Sequence, residues 1–164
     1  MKILKDLEEA EAMKLIDIAA GIASKAQCFR SKCGSIIVKD GKIIGQGYNS
    51  PPEDVTPQFC LKDFLSPKFR SDNTCCIHAE QRAIMNALKN HSEKVSGSRI
   101  YFIRLDDKGQ KVAAGKPYCT HCSKFALDVG ITEFVLLHDY GITVYDTKEY
   151  NRLSFEYNWE AHKS

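Results

Sequence analysis

The 164-residue sequence has no apolar run approaching the roughly 20 residues of a membrane-spanning helix, which argues against a helical membrane protein. A surplus of one charge is also missing. The 23 Lys and Arg stand against 21 Asp and Glu, for a net charge of +2. That is too little to argue for a nucleic-acid partner from bulk electrostatics, although it leaves room for a local basic patch. The opening stretch, MKILKDLEEAEAMK, lacks the uninterrupted apolar core of a secretory signal, because acids enter within seven residues. There is no internal repeat and no low-complexity tract. Proline is sparse, and four of the five fall together as Pro51, Pro52, Pro57 and Pro67. The remaining composition, 43% hydrophobic and 27% charged, is ordinary for a globular chain. The expectation is one domain over residues 1–164, able to bury about 70% of its unfolded surface, in the cytoplasm.

What the sequence has in excess is cysteine: seven, an odd number. Without an export signal, clustered thiols in a reducing compartment point to metal ligation or redox chemistry more than to disulfides.

The periodicity predicts a helix over 4–27, with Leu7, Met13, Ile16, Ala20 and Ile22 roughly at helical spacing. A hairpin follows, Ser35–Val38 and Lys42–Gly45 around Asp40-Gly41, because Gly41 takes positive φ at no steric cost. Residues 50–73 read as a long loop with a helical turn near Phe59–Phe64, and loops of that length are usually functional or disordered. Then come a helix over 78–90, a strand over 99–105, a turn at DDKG, a loop at AAGKPY, a helix over 119–129 stopped by Gly130, and a strand in TEFVLL. Residues 141–164 form a tail with a short apolar run and scattered aromatics, whose structure the sequence does not specify. Helix, hairpin, helix, strand, helix, strand implies one sheet with helices packed on it.

Two motifs carry chemistry. His78 and Glu80 open one predicted helix, and Cys119 and Cys122, in PYCTHC, open another. Two cysteines separated by two residues can aim both sulfurs at one ion. With His78 they make three ligands suited to tetrahedral zinc, leaving a fourth position for water. Helix N-termini favour the negative charge such a site carries. Glu80, two residues after His78, can reach that water without ligating the ion and shuttle its proton. The rival readings are a redox pair or a purely structural zinc, and the latter has no need of Glu80.

His-x-Glu followed by Cys-x-x-Cys resembles the zinc deaminases, in which activated water attacks an aminated ring carbon. HAE at 78–80, CTHC at 119–122 and the upstream CFRSKCGSIIVKDGKIIGQGYNSPP resemble the cytidine and deoxycytidylate deaminase superfamily, most closely its deoxycytidylate branch, over residues 10–137. One departure is Tyr118, which separates Pro117 from Cys119 where the family's proline directly precedes the cysteine. The resemblance implies a three-layer α/β/α sandwich with a mixed central sheet, a Zn²⁺ cofactor and a homo-oligomer. It implies a cytosine-type nucleotide or nucleoside substrate, deoxycytidylate foremost, with a nucleic-acid base, a free purine or a pterin as alternatives. It also implies that Asn49 holds the base or sugar and that Ala79 offers its backbone to the base. Arg30 and Lys32, in FRSK, are the candidate phosphate contacts. Cys60, Cys75 and Cys76 are candidates for a second, structural metal, or else small buried hydrophobes. Cys28 and Cys33 read as packing residues, and His121 as a surface or loop residue pointing away from the cysteines beside it. His91 and His138 read as solvated or structurally satisfied. Tyr145, Tyr150, Phe155, Tyr157 and Trp159 pack on the core or an interface, or cover the base. A binding module on the same scaffold, without catalysis, is the remaining alternative.

Overall fold

A computed structural model of the chain describes residues 1–55, 58–65 and 75–157. Among them are helices α1 (Asp6–Ala23), α2 (Ala79–His91), α3 (Thr120–Asp128) and α4 (Thr147–Glu156). The strands are β1 (Lys2–Ile3), β2 (Lys32–Lys39), β3 (Lys42–Tyr48), β4 (Arg99–Leu105), β5 (Lys111–Val112), β6 (Glu133–His138) and β7 (Gly141–Asp146). They form one seven-stranded sheet in the order β1-β7-β6-β4-β2-β3, with β5 paired to the end of β4. β4 and β6 run parallel and the other described pairs antiparallel, so the sheet is mixed.

The β2–β3 hairpin turns at Asp40 and Gly41, with φ of 49° and 72°. Two successive positive-φ residues match the right-handed twist of the flanking strands, the reason Asp-Gly marks such turns. Successive side chains then alternate between faces. Ile36, Val38, Tyr101, Ile103, Val135, Ile142 and Val144 fall on one face, where α1 covers them with Ala12, Ile16, Ala19 and Ala23. Ile37, Ile44, Ile100, Phe134, Leu136 and Tyr145 fall on the other, against Ala83, Ile84 and Ala87 of α2, Ala126 of α3 and Tyr150 of α4. Each fully buried isoleucine contributes about 1.5–3 kcal/mol. Helices on both faces of a mixed sheet make three layers, as expected.

Gly47 of β3 sets the distance between sheet and helix. A Cβ there would lie 2.4 Å from the Ala83 nitrogen and 2.5 Å from the Ala79 carbonyl oxygen, so α2 rests directly on the strand backbone.

Several boundaries differ from the expectation. The first helix spans Asp6–Ala23 rather than 4–27, and Leu7, placed by its spacing on the apolar face, is 81% exposed. The face that packs is set instead by small residues that let α1 lie close to the strands. The unassigned tail begins with β7 and α4. Asp146 caps α4 by accepting hydrogen bonds from the Lys148 and Glu149 backbone N–H groups at 2.9 and 3.3 Å. Tyr150 stacks on Phe134 at 4.0 Å between ring centroids, tying α4 to the sheet. In the long loop, short 3₁₀ turns form at Pro52–Asp54 and Leu61–Phe64. Residues 56–57 and 66–73 of that loop, and Trp159, lie outside the described residues. No helix among the described residues is long and apolar enough to cross a membrane.

Candidate functional site

Two helix starts meet at one point. Ile77, just before α2, exchanges backbone hydrogen bonds with Ser50 at 2.9 and 3.3 Å, tying the entry of α2 to the exit of β3. His78 is the N-cap residue, and its N–H donates to the Gln81 side-chain oxygen at 3.0 Å, which fixes the first turn. Cys119 is the N-cap of α3, and its sulfur accepts from the Cys122 N–H at 3.4 Å. The turn is therefore built by the same atom that the chemistry requires.

His78 Nδ1 lies 3.3 Å from Cys122 Sγ and 3.4 Å from Cys119 Sγ, and the two sulfurs are 3.0 Å apart. Among the described residues this is the one group that gathers three such ligand atoms. Nitrogen and sulfur held by one tetrahedral zinc, at about 2.0 and 2.3 Å, stand about 3.5 Å apart, and both imidazole–sulfur separations fit that spacing.

The electrostatics suit a cation. The hydrogen bond from the Cys122 side chain, helped by His78, holds the Cys119 thiol down to about 4 despite its burial. Cys122, sharing that bond and fully enclosed, is pushed well up. His78 is raised, chiefly by its bond to Cys119. One thiolate stabilised by every donor around it, beside a second thiol that cannot ionise against it, is a donor set that a divalent cation would complete. Glu80 lies in the first turn of α2, 6% exposed. Burial, and then the Cys119 charge, push its carboxyl up to about 7. A carboxyl poised near neutrality can both take and return a proton.

Cys122 is fully buried, and His78, Glu80 and Cys119 lie on the wall of a cavity of about 510 Å³. Asn49 and Ala79 line it. The Asn49 side chain is largely committed to the chain itself: its oxygen accepts from the Cys33 N–H at 2.7 Å and its amide donates to the Ser31 carbonyl at 2.9 Å. Arg30 lines the cavity and is paired with Asp63. Lys32 does not line it. It stands opposite Leu105, whose side chain belongs to the α1 face. Cys60, Cys75 and Cys76 line the cavity, as do Cys28 and Cys33, with the Cys75 and Cys76 sulfurs 3.9 Å apart. No second three-ligand group forms among the described residues. His121 is half-buried on α3 and stands outside the cluster. His138 is buried, with Nδ1 at 2.9 Å from the Ala114 carbonyl and Nε2 at 2.9 Å from the Tyr145 hydroxyl. That bond pins the loop before α3.

Sequence reasoning passed over part of the lining. Phe102 and Arg104 of β4, Lys116 in the AAGKPY loop and Leu136 of β6 all face the cavity. No local signal marks them, because each depends on strand parity or loop path. Tyr118, noted only as a departure from a motif, packs edge-to-face on Tyr157 at 5.0 Å, and both rings line the cavity. Tyr145 is core, Tyr150 is buried where core and cavity meet, and Phe155 is exposed.

A family model described as the cytidine and deoxycytidylate deaminase zinc-binding region matches residues 9–138. The deoxycytidylate deaminase of Saccharomyces cerevisiae is 28% identical over 155 residues, covering 85% of this chain and 44% of the relative. The chain thus spans less than half the length of that relative. Among solved structures, cytidine deaminase from Burkholderia pseudomallei matches with a TM-score of 0.57 at 19% identity, over 84% of this chain and 94% of that one. The dCMP deaminase of cyanophage S-TIM5, solved in complex with dCMP and dUMP, matches with a TM-score of 0.51 at 24% identity, over 80% and 82%. Both likenesses concern the fold.

Proposed function

Because the chain belongs to the cytidine and deoxycytidylate deaminase zinc-binding family, we propose that it is a zinc-dependent hydrolase converting a cytosine-type nucleotide, deoxycytidylate first, to its uracil form. The observation that carries this reading is the enclosed Glu80 carboxylate beside the His78–Cys119–Cys122 cluster on the wall of a cavity. A structural metal has no use for a buried carboxylate, which is costly to keep.

His78, Cys119 and Cys122 would hold the zinc ion, which when bound would supply Lewis-acid activation of the water that attacks the amino-bearing ring carbon. Glu80 accepts the proton of that water on a carboxylate oxygen and delivers it to the neighbouring ring nitrogen. It then takes the proton of the new hydroxyl and passes it to the amino group. The carbon–nitrogen bond breaks, ammonia departs, and the new carbon–oxygen bond becomes the uracil carbonyl, so one water is consumed for each ammonia released. Asn49 holds the Ser31–Cys33 segment as one wall of the site. Ala79, at the first turn of α2, borders the base. The Tyr118–Tyr157 pair supplies apolar surface that excludes water.

Two things favour a nucleotide over a nucleoside. The yeast relative is a deoxycytidylate deaminase, and the phage protein of the same fold was solved with dCMP and dUMP. In this chain, Glu80 is the single acidic residue among those lining the cavity, against Arg30, Lys62, Arg104 and Lys116.

The test is ammonia release from cytosine, deoxycytidine, deoxycytidylate, cytidylate and cytosine-bearing oligonucleotides, with zinc content measured alongside. Deoxycytidylate is expected to be turned over, and Glu80→Gln is expected to keep its zinc while losing about 10²–10⁴-fold in rate. Activity confined to oligonucleotides, or full activity in Glu80→Gln, would overturn the reading.

A further inference from the structure

We infer that Arg104 is the residue that selects for a 5′-phosphate, gripping the phosphomonoester end of the substrate at the mouth of the cavity. This rests on the nucleotide reading above and names the group that would enforce it.

The pleat and register of the sheet place Arg104. In the antiparallel β2–β4 ladder it stands directly opposite Cys33. Opposed residues share a face, and both line the cavity. The Cys33 N–H is held by the Asn49 side chain, so Arg104 lies one cross-strand step from the Asn49 wall. Phe102, two residues earlier on the same face of β4, also lines the cavity. The spacing of alternate strand residues puts Arg104 about 6.6 Å farther along the strand. A molecule with its reacting ring at Glu80 and its sugar along the Asn49 wall therefore extends toward Arg104.

Arg104 is exposed and forms no salt bridge among the described residues, whereas Arg30, the basic residue prominent in the sequence, is already paired with Asp63. Lys32 sits on the opposite face of the sheet. Lys62 and Lys116 line the same cavity and add positive field. A guanidinium offers paired N–H groups that match two phosphate oxygens at once, a geometry that an ammonium lacks.

The experiment compares wild type, Arg104→Ala and Arg104→Lys. Calorimetry measures binding of dUMP and of deoxyuridine, and kinetics measures turnover of dCMP and deoxycytidine. Zinc content and Tm confirm that each variant is folded. In Arg104→Ala, dUMP affinity and kcat/KM for dCMP are expected to fall about 10- to 100-fold. Deoxyuridine binding and deoxycytidine turnover are expected to stay within about twofold, and Arg104→Lys to recover part of the loss. Equal weakening of nucleotide and nucleoside, or unchanged dUMP affinity in a wild type that deaminates dCMP, would overturn the assignment and leave the deaminase reading intact. A wild type that acts on deoxycytidine and ignores dCMP would overturn both the nucleotide reading and this assignment.

Discussion

Gly47→Ala tests whether the site depends on how closely α2 sits on β3. A methyl group at position 47 would meet the Ala83 nitrogen at 2.4 Å, the Ala79 carbonyl oxygen at 2.5 Å and the Arg82 Cβ at 2.6 Å. Ordinary contacts of that kind are about 3.5 Å or more, so relief requires α2 to lift by about 1 Å. Two of the three obstacles are helix backbone, which no rotamer change can move. Overpacking of this kind costs about 1–3 kcal/mol. For a chain of this size that lowers Tm by roughly 2–4 °C per kcal/mol, about 2–12 °C in all. The functional effect should be larger than the stability effect. Ala79 lies between His78 and Glu80, so the displacement falls on both the proposed metal ligand and the proposed proton carrier. A misplacement of about 1 Å can cost about 10²-fold in rate. Thermal denaturation and kcat, measured with zinc occupancy, check this. Gly21→Ala is the control: its Cβ would meet nothing within 4 Å on the exposed side of α1, and helix propensity should make it neutral or stabilising by up to about 1 kcal/mol. A Gly47→Ala protein with wild-type Tm and kcat would show that α2 is not positioned by this contact.

Removing zinc with a chelator should abolish turnover and lower Tm by roughly 10 °C, since a ligand present at about 1,000 times its Kd contributes about 4 kcal/mol; an unchanged Tm would mean that the cluster binds no ion. Replacing His138 by Ala leaves the Tyr145 hydroxyl and the Ala114 carbonyl without their 2.9 Å partner, and should cost about 1–3 kcal/mol. It should also raise KM more than it lowers kcat, because the freed loop carries Lys116 and Tyr118; a change in kcat alone would contradict this. Asp54 accepts a 2.8 Å hydrogen bond from the Tyr48 hydroxyl, the leading cause of its lowered pKa, and pairs with Arg82 at 3.0 Å. Its anchoring of the 50–54 segment is fully present above the ordinary aspartate value of about 4 and is lost as pH falls through the lowered one. The stability gap between wild type and Asp54→Asn should therefore narrow as pH falls below the ordinary aspartate range, and a gap independent of pH would refute the role of the charge.

The centre of the site was legible because its chemistry restricts residue type and spacing together. An imidazole and two thiols at helix starts leave few alternatives, and the helices predicted to open at His78 and Cys119 do have those residues as their N-caps. The hairpin was legible for a similar reason, since Asp40 and Gly41 meet a backbone demand that few pairs can satisfy. Leu7 misled because helical spacing gives a face but not the depth of the packing partner. Where α1 crosses the strands the space admits Ala12, Ala19 and Ala23, and a larger residue before that crossing remains in solvent. The tail was illegible because α4 is recruited by a stack of Tyr150 on Phe134, a contact with a strand that precedes it by more than one element.

The rim of the cavity shows why specificity is harder to read than catalysis. Arg30 and Lys32 flank Ser31 in a basic-looking turn, and proximity in sequence recommends them equally. Arg30 precedes β2 and is paired with Asp63, and the pleat turns Lys32 away: it pairs with Leu105 on the α1 face, while the next residue, Cys33, pairs with Arg104 on the cavity face. A slip of one residue in the β2–β4 register would exchange those roles and turn Arg104 away from the site. What holds the register is apolar, with Ile36 and Tyr101 opposed on one face and Ile37 and Ile100 on the other. The core of the sheet therefore decides which cation faces the cavity, and if Arg104 grips a phosphate as proposed, a core mutation that allowed slippage should alter phosphate selectivity without touching a cavity residue.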